Sequence, residues 1–179
     1  MKKISALLLA LAVTAGASSC GSSISDAELT DALRALAPKA VELYEIVYND
    51  ALPYTDVAEG SYYLVSSDAP YTSAEALLDA MESVFTPGYT AILCNTAFTG
   101  VSTDEGRIGA KFSTKNGALY VNPDATTGFA APRELDLDGV TVIKKNPFKA
   151  IVSVPAGDGT LEVMMQKVEG KWLLDSPIY

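Results

Sequence analysis

The sequence contains no histidine, and only two of its 179 residues are cysteine. Without histidine the chain cannot form a Ser-His-Asp or Cys-His catalytic arrangement, and it lacks the commonest protein ligand for transition metals. If Cys20 carries lipid, as its context indicates below, Cys94 has no partner for an internal disulfide. The sequence therefore predicts no catalytic residue, no metal ion and no cofactor.

The chain also has little positive charge and, after residue 19, no run of about 20 apolar residues that could span a membrane. It carries 13 basic and 22 acidic residues, a formal net charge of −9. Such an acidic chain is repelled by nucleic acid and by anionic lipid, so we expect no nucleic-acid binding and membrane contact only through an N-terminal lipid. Its acidity favours a basic protein partner.

The first 19 residues have the three parts of an export signal. Met1-Lys2-Lys3 is a short positive region, Ile4 to Val13 is an uncharged apolar run, and Thr14 to Ser19 is small and polar. The apolar run is too short for a permanent membrane-spanning helix. We therefore interpret residues 1–19 as a signal peptide.

The junction Ala17-Ser18-Ser19-Cys20 resembles a bacterial lipobox, with Ala17 where leucine is usual. In that class of signal the cysteine becomes the acylated N-terminus, and several acyl chains anchor stably where one does not. The alternative is an ordinary cleaved signal with an incidental cysteine. We predict lipidation of Cys20, a tether over residues 20–25, and an extracytoplasmic location on the bacterial cell membrane.

Removing residues 1–19, which hold two lysines and no acid, leaves 160 residues and takes the formal charge from −9 to −11. The pattern predicts one α+β domain over residues 26–179, helical over 26–98 and β-rich over 105–179. Pro38 should kink the first helix or begin a second one after a break near Ala37. Within the tyrosine-rich segment 54–71, only Tyr62 to Val65 has strand character.

Capping boxes and a turn signal place the other elements. Ser25 to Glu28 and Thr72 to Glu75 each fit a helix-opening capping box, and Pro87 is near the start of a third helix. Asn116-Gly117 predicts a tight hairpin turn. The predicted strands are 107–113, 118–121, 135–145, 148–154, 160–168 and 171–175. Together these predict N-terminal helices packed on a C-terminal curved antiparallel meander sheet, as a cystatin-like cone or a two-lobed variant.

The order of several short motifs resembles a known family. The motifs are Leu43-Tyr44 and Tyr48, Tyr62-Tyr63-Leu64, Thr72 to Phe85 with Thr86-Pro87-Gly88-Tyr89, Gly117 to Val121, and Gly170 to Asp175. This order resembles the secreted inhibitors of DL-endopeptidase cell-wall hydrolases and is similar, more loosely, to cystatin-like domains of bacterial lipoproteins. The resemblance implies a non-catalytic acidic protein that blocks the cleft of a basic peptidoglycan hydrolase. It assigns no individual inhibitory residue.

Two segments are candidates for a binding surface. Six tyrosines fall between residues 44 and 71, and those in the predicted loop region are Tyr54, Tyr62 and Tyr71. Tyrosine combines apolar area with a polar tip, so it suits both half-buried packing and binding. The second candidate is the loop 122–131, with Asn122, Asp124 and Phe129, for which a simple connector is the alternative.

Two further features favour structural interpretations. Cys94 lies in the apolar stretch Ala91 to Cys94, which indicates a buried thiol rather than a nucleophile. Asp136-Leu137-Asp138-Gly139 has too few ligands for a calcium loop.

The sequence as a whole leaves two hypotheses for the function. The first is a membrane-anchored binding or inhibitory module, and the second is a lipoprotein with a pocket for a small ligand or peptide between its helices and sheet.

Overall fold

A computed structural model describes residues 24–49, 52–103, 106–125 and 133–178. The predictions for the signal peptide, for Cys20 and for Phe129 lie outside the described residues.

The first helix is continuous through Pro38, so the predicted break near Ala37 is wrong. Helix α1 (Asp26–Tyr44) passes through Pro38 without a break and continues into a π-helical turn, Glu45–Asn49. The predicted N-cap is confirmed, because Ser25 Oγ accepts a hydrogen bond from the Glu28 N–H at 3.0 Å. The Glu28 carboxylate does not complete the capping box, however. It accepts hydrogen bonds from Lys167 and Trp172 near the end of the chain instead.

In the described part of the chain, two further helices and ten strands follow α1. The helices are α2 (Ala74–Glu82) and α3 (Pro87–Thr99). The strands are β1 (Tyr54–Glu59), β2 (Tyr62–Val65), β3 (Val101–Thr103), β4 (Gly106–Ile108), β5 (Phe112–Lys115), β6 (Ala118–Val121), β7 (Thr141–Lys145), β8 (Lys149–Ala156), β9 (Gly159–Val168) and β10 (Lys171–Leu174). The α+β prediction, with helices mainly N-terminal and strands mainly C-terminal, is confirmed.

The strands form two four-stranded antiparallel sheets and a small β3–β4 ladder. The first sheet has the order β1-β2-β6-β5, so it joins a hairpin from the first half of the chain to a hairpin from the second. The second sheet is the meander β7-β8-β9-β10. At its β10 edge, Phe85 forms a parallel bridge with Leu174.

Several predicted boundaries are wrong for local reasons. The predicted strand 107–113 is split, because β4 pairs with β3 and only β5 enters the first sheet. The predicted strand 135–145 starts at Thr141, because Asp136 Oδ1 accepts the N–H groups of Asp138 and Gly139 and turns the chain. Ser73 rather than Thr72 caps α2, accepting from the Ala76 N–H at 3.1 Å. Strand β1 was not predicted at all.

Helix α1 packs against β7 and β10 of the second sheet, and the π-helical turn that continues it reaches the residue before β5. Near its start Asp26 pairs with Lys145, in its middle Arg34 bonds the Leu137 carbonyl, and the Asn49 carbonyl at the end of the π-helical turn accepts from Lys111. Its inner face shares one core with the second sheet: Leu29, Leu33, Ala40 and Leu43 pack in the same buried cluster as Val152, Val163, Met165 and Leu174. At 1.5 Å per residue, α1 spans about 27 Å.

Among the described residues, no helix combines the length and the apolar character needed to cross a bilayer.

Candidate functional site

Strand β1 forms one edge of the first sheet and presents apolar side chains to solvent. Tyr54 is 46% exposed and Val57 is 55% exposed, although both lie in regular secondary structure. The Tyr54 ring is held against Tyr63 of β2 with ring centroids 5.1 Å apart. Exposed aromatic and β-branched side chains on an ordered strand form a ready contact surface, because little side-chain freedom remains to be lost on binding.

A bulge shapes this edge. The register between β1 and β2 shifts between Tyr54 and Ala58, and Thr55 Oγ1 both donates to the Leu64 carbonyl and accepts from the Val57 N–H. A bulge interrupts regular pairing on an edge strand and so discourages indiscriminate strand addition. Recognition at β1 would therefore depend on side chains rather than on a continuous backbone ladder.

Acidic side chains lie between and beside the apolar ones. Asp56 and Glu59 are exposed on β1, and Glu59 forms an ion pair with Lys115 of β5. Asp56 makes no ion pair with the described residues. We define the β1 surface as Tyr54, Asp56, Val57 and Glu59. It joins apolar area to negative charge, the combination that fits a basic partner.

Three of the sequence candidates meet at the neighbouring end of the first sheet. The Tyr62 hydroxyl donates to the Ala110 carbonyl at 2.9 Å. Asn122 Nδ2 donates to Ser61 Oγ at 3.5 Å, and Asn122 Oδ1 accepts the Asp124 N–H at 3.1 Å. Tyr62 and Asn122 thus hold the chain in place, whereas the Asp124 carboxylate is left exposed.

Tyr71 does not belong to any exposed surface, contrary to its prediction as a loop residue available for binding. It is only 6% exposed, its hydroxyl donates to Glu42 Oε1 at 3.0 Å, and the Lys39 ammonium lies 4.8 Å from its ring centroid. Burial raises the pKa of the Tyr71 hydroxyl, with Lys39 acting in the opposite direction. Tyr71 therefore fastens the segment before α2 to α1.

The structure supports a packing role for Cys94. Its thiol is half-buried and lies 3.8 Å from the Met81 sulfur. Burial, assisted by the nearby Glu82 charge, raises the pKa of the thiol. A raised pKa keeps the sulfur protonated at neutral pH, which is the unreactive form.

The described residues leave no deep cavity between α1 and the second sheet. Leu29, Leu33 and Leu43 of α1 are fully buried, as are Val152 and Val163 of the sheet. The nearest depression has a volume of about 250 Å³ and lies beside α1, lined by Ala37, Pro38, Val41, Arg133, Leu135 and Leu137. Pockets for drug-sized ligands usually measure roughly 300–1,000 Å³. The geometry thus gives little support to a small-ligand pocket beside α1. A second depression, of about 360 Å³, lies between the α2–α3 connection and strands β9 and β10, where Phe85, Val168 and Lys171 line it, so a pocket between helices and sheet stays a prediction at that position.

Comparison with known proteins finds no match to this chain, either among protein-family models or among curated protein sequences.

Asp56, Val57 and Glu59 of the β1 surface were missed by the sequence reasoning. The signal that could have found them is the run Tyr54 to Glu59 between Pro53 and Gly60, with a β-branched residue at Thr55 and Val57. This run does not predict a strand by periodicity, because an exposed edge strand lacks the alternation of apolar and polar residues that marks a half-buried strand.

Proposed function

We propose that the protein is a membrane-anchored extracytoplasmic lipoprotein that acts as a non-catalytic binding or inhibitory module for a basic protein of the cell envelope. The observation that carries the proposal is the β1 surface, where an exposed tyrosine and valine are combined with two carboxylates on an ordered strand edge. Its most specific version is inhibition of a peptidoglycan DL-endopeptidase.

The chemistry of the chain supports binding rather than catalysis. There is no histidine in the sequence, and the half-buried Cys94 has a raised pKa. Every buried side-chain nitrogen or oxygen in the described part of the chain has a hydrogen-bond partner. A thiol nucleophile needs a lowered pKa or a neighbouring base, and Cys94 has neither a lowered pKa nor a histidine to serve as base.

The charge of the β1 surface supports a basic partner. Asp56 of the β1 surface, and Asp124 at the neighbouring end of the first sheet, are exposed acids without ion pairs among the described residues, on a chain with a formal charge of −9. Opposite charge accelerates encounter, and the apolar side chains of Tyr54 and Val57 would then supply most of the binding energy. Binding should consequently weaken as salt is raised, because exposed charges are screened.

The test uses the purified mature protein and a panel of basic NlpC/P60-type hydrolases. Binding is measured by interferometry and inhibition by release of soluble wall fragments. We expect one or more hydrolases to bind the protein and to digest wall material more slowly in its presence. If no hydrolase binds and none is slowed, the inhibitor proposal is wrong.

Matched variants locate the surface. Tyr54→Ser combined with Val57→Ser should weaken binding about tenfold or more, since truncating central interface residues typically costs 1–2 kcal/mol or more each. Ile92→Ser is the control, because Ile92 is 56% exposed but lies on α3. Equal losses in the two variants would place the interface elsewhere on the molecule.

The anchor is tested separately by intact mass and cell fractionation of the full chain. The mature protein should begin at Cys20 and carry the mass of acyl chains, and Cys20→Ser should release it from the membrane fraction. A mature N-terminus at another residue, without added mass, would overturn the anchor but not the binding role.

A further inference from the structure

The start of α1 and two turns of the second sheet lie at the same end of the molecule. The turn after β7 covers residues 146–148 and the turn after β9 covers residues 169–170, and Lys167 N–H donates to the Phe148 carbonyl at 2.8 Å. Asp26 and Glu28 in the first turn of α1 bond Lys145 and Lys167. This end of the second sheet is therefore the point at which the N-terminal segment joins the domain.

Lysines are concentrated at this end. Lys145 and Lys167 neutralise Asp26 and Glu28 at 2.5 and 2.9 Å. Three more lysines are exposed there and form no ion pair with any described residue; they are Lys144, Lys149 and Lys171. The other acids near this end are Glu169, Asp175 and the exposed Glu82, which lines one depression together with Glu169 and Lys171. Asp175 accepts a hydrogen bond from Thr86 at 2.6 Å.

The opposite end of the same sheet is acidic. Asp158 lies in the turn between β8 and β9, and Glu134, Asp136 and Asp138 lie beside it, with the Glu134 carbonyl accepting from the Gly157 N–H at 3.0 Å. Arg34 pairs with Asp138 there. The second sheet thus has an acidic end and an opposite end that we call the basic end, because three of its five lysines form no ion pair with a described residue.

The most exposed large apolar side chain of the described residues lies among these lysines. Phe148 is 69% exposed, yet its backbone is fixed, because Asn146 Oδ1 accepts the N–H groups of both Phe148 and Lys149 at 2.9 and 2.8 Å. An aromatic ring held in solvent by an ordered turn and flanked by cations matches the composition of membrane-interface surfaces.

The length of the tether limits where this end can lie. Only four residue steps separate Cys20 from Ile24, so these two residues are at most about 14 Å apart. Ile24 and Ser25 lead directly into α1 beside Lys145. A lipid on Cys20 would therefore keep Ile24, and with it the start of α1 beside Lys145, within about 14 Å of the lipid-bearing residue.

We propose that the basic end of the second sheet is a membrane-contact surface, in which Phe148 enters the headgroup region and Lys144, Lys149 and Lys171 contact anionic phospholipid. This proposal rests on the lipid anchor in the proposed function. Helix α1, about 27 Å long, then carries the first sheet and its β1 surface away from the bilayer. The acyl chains hold the domain at the membrane, and the lysines then favour one orientation of it, since each lysine near an anionic surface is attracted to that surface.

The test reconstitutes the mature lipidated protein into vesicles of phosphatidylglycerol and phosphatidylcholine, or of phosphatidylcholine alone. An environment-sensitive fluorophore is attached through Phe148→Cys in a Cys94→Ser background, with Ile92→Cys as the matched control. We expect the label at position 148 to be quenched by nitroxide lipids on phosphatidylglycerol vesicles, and the label at position 92 to be unaffected. Raising the salt from 0.1 to 1 M should reduce the quenching, because charge screening shortens from about 10 to about 3 Å.

Charge removal gives the second readout. Each lysine near an anionic surface contributes about 1 kcal/mol, or about fivefold in the equilibrium constant. Lys144→Gln, Lys149→Gln and Lys171→Gln together should therefore lower the equilibrium constant for contact between the basic end and the membrane about a hundredfold.

Flotation with the vesicles separates the contact-surface proposal from the anchor proposal. Protein that floats with vesicles but shows no quenching at position 148 overturns the contact surface and leaves the anchor intact. Protein that does not float overturns both.

Discussion

Glu28 shows how tertiary contacts redirect a residue that local sequence assigns to helix capping. Its backbone N–H does bond Ser25, but its carboxylate accepts hydrogen bonds from Lys167 and from the Trp172 indole, both at 2.9 Å. The Lys167 hydrogen bond is the main reason that the pKa of Glu28 is lowered, and the Trp172 bond adds to it. One side chain therefore links the start of α1 to β9 and β10.

This linkage predicts a pH-dependent stability. Because the pKa of Glu28 is lower in the folded chain than its ordinary value of 4.5, the ionised form favours folding. The contribution is present above pH 4.5 and is lost as the pH falls through the folded pKa. The difference in unfolding free energy between wild type and Glu28→Gln, followed by Trp172 fluorescence, should therefore shrink between pH 6 and pH 3. A difference between wild type and Glu28→Gln that stays constant with pH would contradict the assignment.

Lys111 is the second residue whose role depends on a distant partner. It is only 2% exposed, and its ammonium donates to the Asn49 carbonyl at 2.8 Å, at the end of the π-helical turn. A positive charge at a helix C-terminus satisfies carbonyl groups that have no partner within the helix.

We predict that Lys111→Met lowers the free energy of unfolding by about 1–3 kcal/mol, because the half-buried Asn49 carbonyl loses a charged donor. Chemical denaturation measures the change. Lys115→Met, which removes an exposed ion pair with Glu59, should cost less than about 1 kcal/mol. Equal effects in the two variants would show that the burial of Lys111 contributes nothing.

At the scale of elements, α1 tolerates a proline that local propensity would place at a break. Pro38 lies inside the continuous helix on an exposed position, where it cannot donate to the Arg34 carbonyl. The apolar residues before and after it, Leu33 and Ala40, are both fully buried in the core. Burial along the helix therefore outweighs the local cost of the proline.

Replacing the proline should reveal that cost. Pro38→Ala restores a hydrogen-bond donor and removes the ring, so we expect the free energy of unfolding to rise by about 1–3 kcal/mol. Thermal unfolding followed by circular dichroism measures the change. A lower melting temperature in the variant would instead mean that the packing of α1 on the sheets requires the geometry that proline imposes.

At the scale of the whole molecule, α1 joins two sheets that share no strand. Its first turn bonds β9 and β10 through Glu28, its last residues pack with Tyr71, and its π-helical turn bonds Lys111 next to β5. The buried side chains from both sheets and all three helices form one continuous cluster. We therefore expect one folding unit rather than two independent lobes.

This expectation predicts a single unfolding transition. Trp172, the one tryptophan of the chain, reports on the second sheet, and tyrosine near-ultraviolet circular dichroism reports mainly on the first sheet and the end of α1. The two signals should change at the same denaturant concentration, because neither sheet keeps its core without α1. Two separated midpoints would show that the sheets unfold independently.

Local interactions explain what the sequence determined without help from the fold. The N-cap at Ser25 and the start of α3 at Pro87 depend on contacts within one helical turn, and both predictions are confirmed. Asn116 and Gly117 adopt φ values of 51° and 83°, as the predicted tight turn requires. The α+β class follows from the same short-range periodicities.

The tertiary structure alone decided which side chains face solvent and which charges come together. Tyr54 and Tyr71 belong to the same tyrosine-rich segment, but one is exposed on β1 and the other bonds Glu42 in the interior. Lys144, Lys149 and Lys171 are spread over 28 positions, and only the register of the β7–β10 meander collects them at one end. Composition averages over the whole surface, whereas strand pairing and helix packing determine where on that surface each charge lies.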